Sequence, residues 1–174
     1  YLPSTGYPNR NDHGRKLVRM QTGGGYRYFA VGYTNSFAQS TTDYNAFVMQ
    51  FDPTTGNQIS INTFGMTGTS EQVYDAIVDN TNSHILLAGE TISATGNRDM
   101  LSYKVTSGLT LAGAIIMQGG KVEYANSITM IPGNNNDVFL AGSTSTVTGT
   151  PDIYVVRINY GTYTYSLSHF YFEG

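Results

Sequence analysis

The sequence predicts an all-β protein, a β-propeller-like array of three tandem four-stranded antiparallel blades, either a partial propeller or one completed by other chains. Three observations carry this expectation. A short phrase with a fixed glycine occurs three times, a strand-like phrase keeps step with it, and turn residues divide each copy into four strand candidates.

The first phrase reads Ala30-Val31-Gly32-Tyr33-Thr34, Leu87-Ala88-Gly89-Glu90-Thr91 and Leu140-Ala141-Gly142-Ser143-Thr144, its glycines 57 and 53 residues apart. The second begins at Asn45, Asp99 and Asp152, at intervals of 54 and 53 residues. Two landmarks that hold nearly one period, about 54 residues, define a repeat. Within the second phrase, alternation puts Phe47, Met49 and Phe51 on one face, as it does Leu101, Tyr103 and Val105, and Tyr154, Val156 and Ile158. That face is expected to be buried. The opposite face starts apolar and ends polar, at Gln50, Lys104 and Arg157, as in a sheet covered on both sides and wet near one end.

Each copy supplies a first strand around Val18, Ile77 or Ile128 and a second strand over 28–33, 85–90 or 138–143. The third is the phrase just described, and a fourth lies over 58–64, 111–117 or 163–172. Gly23-Gly24-Gly25, Asp79 to Asn82 and Pro132 to Asn136 are turn signals between first and second strands; Asp52-Pro53-Thr54-Thr55-Gly56 joins third to fourth. A meander of this length, apolar on both faces, suits a blade stacked between neighbours. Solenoid rungs are shorter, and a sandwich has no need of copies so alike. The chain is read as one β-repeat domain over 1–174, with blades near 15–65, 71–119 and 123–174 and with 1–14 as a linker or the remnant of a preceding blade.

Composition agrees with a folded β protein: 40% hydrophobic residues and only 12% charged, with Thr, Ser, Asn, Gly and Tyr in the polar and turn positions. A net charge of -3 offers no field for a phosphate backbone, so nucleic acid is not an expected partner. No apolar run approaches the ~18 residues of a membrane-spanning helix, and membrane insertion is not expected. Cysteine is absent, which excludes disulfides and thiolate chemistry, and no Asn-x-Ser/Thr acceptor occurs. A start at Tyr1, without an initiator Met, is read as a processed or excerpted polypeptide.

The strand Ala76-Ile77-Val78-Asp79, the strand Ile85 to Thr91 ending in Gly-x-Thr, and Asp99-Met100-Leu101 together resemble the SBBP family of β-propeller repeats, and more loosely other bacterial-type surface propeller repeats. The third copy shares the pattern through Ser127-Ile128, Leu140 to Thr144 and Asp152 to Arg157. The first departs from it, opening on Lys16 to Met20 and beginning its third strand with Asn45 in place of Asp. The resemblance implies an extracellular or cell-surface setting and a non-enzymatic role, with no shared active site to carry over.

No catalytic constellation or cofactor motif emerges from the residues. His13, His84 and His169 hold non-equivalent places in the repeat, Asn9, Asn11 and Asp12 lack the Gly and distal Glu of an EF-hand loop, and Gly23 to Gly25 precedes a strand where a phosphate cradle would precede a helix. The linkers before the first strands bring Arg10, Asp12, Glu71, Asp75, Glu123 and Asn126 to one expected rim. Tyr74 and Tyr124 serve there as stacking faces, so the rim is a candidate glycan-binding surface. The alternative is that these groups cap turns.

Closed propellers need about four to eight blades, so three leave two apolar faces open. Self-assembly into a ring or filament, or docking of a partner, is the expected outcome. The aromatic ending supplies a candidate self-association edge in Tyr163, Tyr165, Phe170 and Phe172; the alternative is that these rings cover the outer surface of the final blade itself.

Overall fold

The computed structural model describes residues 11–36, 43–118, 122–131, 137–145 and 152–170. Among these residues the chain forms twelve strands and no helix, arranged as three separate four-stranded antiparallel sheets. The first holds β1 (Asp12–Thr22), β2 (Gly25–Thr34), β3 (Asn45–Phe51) and β4 (Gln58–Phe64). The second holds β5 (Thr69–Asp79), β6 (His84–Ser93), β7 (Arg98–Thr106) and β8 (Leu111–Met117). The third holds β9 (Val122–Met130), β10 (Asp137–Ser145), β11 (Asp152–Asn159) and β12 (Thr164–Phe170). In each sheet every strand pairs with its neighbour in sequence, so each is a simple meander.

The sheets stack in chain order in a three-blade, propeller-like arrangement. The first strand of the second sheet lies against β1, β2 and β3, and the first strand of the third lies against β5, β6 and β7. Two apolar layers fill the junctions. Phe29, Val31, Ala46 and Val48 of the first sheet meet Val73, Ala76, Ile85, Leu87, Leu101 and Tyr103 of the second. Leu86, Ala88, Met100 and Ile115 on the other face of the second meet Ala125, Ile128, Leu140, Tyr154 and Val156 of the third. A side chain such as Leu87, fully enclosed in the first layer, contributes about 1.5–3 kcal/mol to holding two blades together.

The face assignments of the third strands differ between blades. Leu101, Tyr103 and Val105 are buried as expected, as are Tyr154, Val156 and Ile158, because each set faces the preceding blade. In β3, Met49 and Phe51 are only half-buried, while Ala46 and Val48 on the opposite face are sealed against the second sheet. Alternation fixes which residues share a face, but burial depends on whether a neighbouring sheet is present.

Repeat symmetry extends to the backbone. A bulge interrupts each first strand, leaving Arg15, Tyr74 and Asn126 without a partner in the ladder. The turns between third and fourth strands each contain a left-handed residue, Gly56 at φ 73°, Leu109 at φ 61° and Tyr163 at φ 51°.

Candidate functional site

The bulge explains the repeated glycine. It lifts the backbone of the first strand toward the second, so that a Cβ on Gly32, Gly89 or Gly142 would stand 1.9, 1.9 or 1.8 Å from the carbonyl oxygen of His13, Gln72 or Tyr124. Only a residue without a side chain fits there.

The first strands begin at Asp12, Thr69 and Val122, so all the expected rim residues that the structure describes lie inside strands and not in linkers. Asp12, Glu71 and Glu123 occupy equivalent positions, each opposite a threonine of the second strand: Thr34, Thr91 and Thr144. Asp12 accepts from the hydroxyls of Thr34 and of Ser36, the latter at 2.8 Å. Glu71, wholly buried, accepts through Oε1 from the hydroxyls of Thr69 and Thr91, the latter at 3.2 Å. Burial pushes the Glu71 carboxyl above its ordinary range, against the opposing pull of these donors. Glu123 and Thr144 are buried as well. Asp12 and Glu71 thereby brace the first strand against the second.

Tyr74, at the bulge, is enclosed by its neighbours. Its hydroxyl donates to Glu90, which also pairs with Arg98 at 3.2 Å, and the Arg15 guanidinium lies 5.6 Å from its ring and 5.0 Å from that of Tyr33. Arg15 also donates to the Tyr33 hydroxyl, and Tyr33 stacks on His13 at 4.6 Å. Asp75 joins all three sheets. It accepts from Lys16 of the first at 2.9 Å, and from the Ile128 N–H at 3.1 Å and the Ser127 hydroxyl at 3.3 Å in the third. Burial alone would raise its carboxyl, but Lys16 and the N–H groups of Ile128 and Ala76 together hold it below the usual value.

Asn126 is exposed and Tyr124 half-buried, while Arg10 lies outside the described residues. Of the hollows at this end, one is lined by Asp43, Asn45 and Thr69 and another by Tyr44, Ser70, Gln72 and Ile92; neither includes any of the seven described rim residues. Among the described residues no group of three His, Asp or Glu side chains converges as a metal site would require.

The expected association edge also divides. Tyr163 is turned inward onto the second blade: its hydroxyl lies 3.0 Å from Ser102 Oγ, the Lys104 ammonium sits 4.7 Å from its ring, and the ring fills the space left by Gly113. The left-handed turn aims the side chain back across the junction, as the same turn buries Leu109 between the first two blades. Tyr165 is 44% exposed on the last strand. Phe170 pairs through its backbone with Ile153, and Phe172 lies outside the described residues.

Larger open surfaces lie on the outer faces of the array. In the second blade the cross-strand row Ala76, Leu87, Tyr103 and Ala114 faces the first blade; the corresponding row of the third contains Ile128, Leu140 and Val156. The equivalent row of the first blade is Leu17, Ala30, Met49 and Ile61, and no sheet among the described residues covers it. Leu17 is 70% exposed. On the opposite side of the array Ile153 is 50% exposed on the trailing face of the third blade. The sequence predicted two open apolar faces but not the residues that form this one: reading strand by strand put Met49 on a buried face, and aligning the three copies across their ladders would have identified the row. The chain matches no protein-family model and no curated protein sequence.

Proposed function

We propose that the chain is a non-enzymatic structural or adhesive module, working in an extracellular or surface setting, whose uncovered first-blade face receives a further β-sheet. The supporting observation is the row Leu17, Ala30, Met49 and Ile61. It stands where the two following blades carry rows that are packed against a preceding sheet, and here the same position is open. An apolar face shaped by the repeat for sheet packing favours that kind of occupant over a small polar ligand.

Sedimentation velocity on the chain and on its Leu17→Lys and Met49→Lys variants tests this. The unaltered chain is expected to exceed its monomer mass of 18.9 kDa as concentration rises, and each lysine to return it to that mass while the far-ultraviolet spectrum stays that of the parent. Association that ignores both lysines, or a chain that remains at 18.9 kDa throughout, rejects the use of this face.

A further inference from the structure

The two internal junctions show which positions meet when one blade follows another. At the first, Arg27 of β2 donates to the Ser107 carbonyl in the third-to-fourth-strand turn of the next blade, at 3.3 Å. At the second, His84, the equivalent of Arg27, lies 2.8 Å from the hydroxyl of Tyr160, the equivalent of Ser107. Lys104 grips the same turn, donating to the Tyr160 carbonyl at 3.2 Å with its ammonium 4.7 Å from the Tyr160 ring. The second blade thus presents two trailing positions to the turn of its successor, and the first presents one of them, Arg27.

In the third blade those trailing positions are Asp137 and Arg157. They pair with each other at 2.6 Å, and the Arg157 side chain is still 55% exposed. A guanidinium carries five donors, so a second carboxylate can be accommodated. On the leading side of the first blade the corresponding turn is Asp52-Pro53, Pro53 standing where Ser107 and Tyr160 stand. The Asp52 carboxylate accepts from the N–H groups of Thr54 at 2.7 Å and Thr55 at 3.3 Å.

We propose that two copies of this chain close head to tail into a six-bladed ring, the Arg157 of each meeting the Asp52 turn of the other. The proposal rests on the open-face reading above and names the occupant. Three blades per copy leave six as the one closed ring within the range of about four to eight. The junction between copies is smaller than those within the chain. Gly56 stands where Leu109 and Tyr163 plug the internal junctions, and Arg19 where Val78 and Met130 pack, so the ring is reversible.

Sedimentation equilibrium on the full chain tests it by charge reversal. The parent is expected at about twice 18.9 kDa. Asp52→Arg and Arg157→Glu are each expected to weaken the dimer by about tenfold or more, and the double variant, which restores an opposite-charge pair only between copies, to recover to within about threefold of the parent. Asp52→Asn, which keeps an acceptor for the turn, serves where Asp52→Arg fails to fold, and is expected to weaken association in the same direction. A dimer indifferent to all of these but dissolved by Met49→Lys overturns the pairing and leaves the open-face reading standing. Growth beyond a dimer with concentration overturns the closed ring. A monomer overturns both.

Discussion

The carbonyl oxygen of Gln72 lies 1.9 Å from where a Cβ on Gly89 would stand. Gly32 and Gly142 repeat this approach toward His13 and Tyr124. Alanine at any of the three must push two paired strands apart, at a cost of about 1–3 kcal/mol. Gly14→Ala, on the same bulge with nothing within 4 Å, is expected to change stability by less than about 0.5 kcal/mol. Urea unfolding of the four variants checks the contrast.

This glycine is also where sequence and fold agree most closely. Its recurrence set the period, and the chain forms the three four-stranded antiparallel sheets that the period implied, because strand alternation and turn chemistry are local properties. What could not be read was the bulge at Arg15, Tyr74 and Asn126. It leaves no mark in composition, and it carries Asp12, Glu71 and Asp75 from expected loops into strands, where threonines, a lysine and backbone donors engage them while Glu71 Oε2 stays buried without a hydrogen-bond partner among the described residues. Tyr163 was misplaced for a similar reason: its left-handed φ reverses the side chain, and alternation cannot register that. The open row Leu17, Ala30, Met49 and Ile61 was legible only as a type of face, since exposure is decided by a neighbour.

Removing Tyr163 tests the junction between the second and third blades. Tyr163→Phe loses the hydroxyl contact with Ser102 and is expected to cost about 1 kcal/mol. Tyr163→Ala also empties the space over Gly113 and is expected to cost about 3 kcal/mol or more. Thermal unfolding of both variants separates packing from hydrogen bonding.

Acid is expected to loosen the contacts that Asp75 makes among the three sheets. Its folded pKa lies below the ordinary 3.8, so its stabilisation is complete above that value and is lost as pH falls through the lower folded one. Asp75→Asn is expected to lower stability by about 1–3 kcal/mol at neutral pH and to remove this part of the acid dependence. Denaturation midpoints across the acid range measure both effects.

Glu71 has the opposite sign. Its folded pKa is raised above the ordinary 4.5, so the stability of its neutral form is complete below that value and falls away as pH rises through the folded one. Glu71→Gln, neutral at every pH, is expected to flatten the corresponding segment of the stability curve. The same midpoints, read from mild acid to neutral, show whether it does.

Because one carboxylate, that of Asp75, is tied to Lys16 on one side and to Ile128 and Ser127 on the other, the middle blade cannot open without releasing both of its neighbours. Hydrogen exchange should therefore find the amides of β5 and β6 among the slowest in the molecule, and the three repeats melting as one cooperative unit and not in sequence from an end.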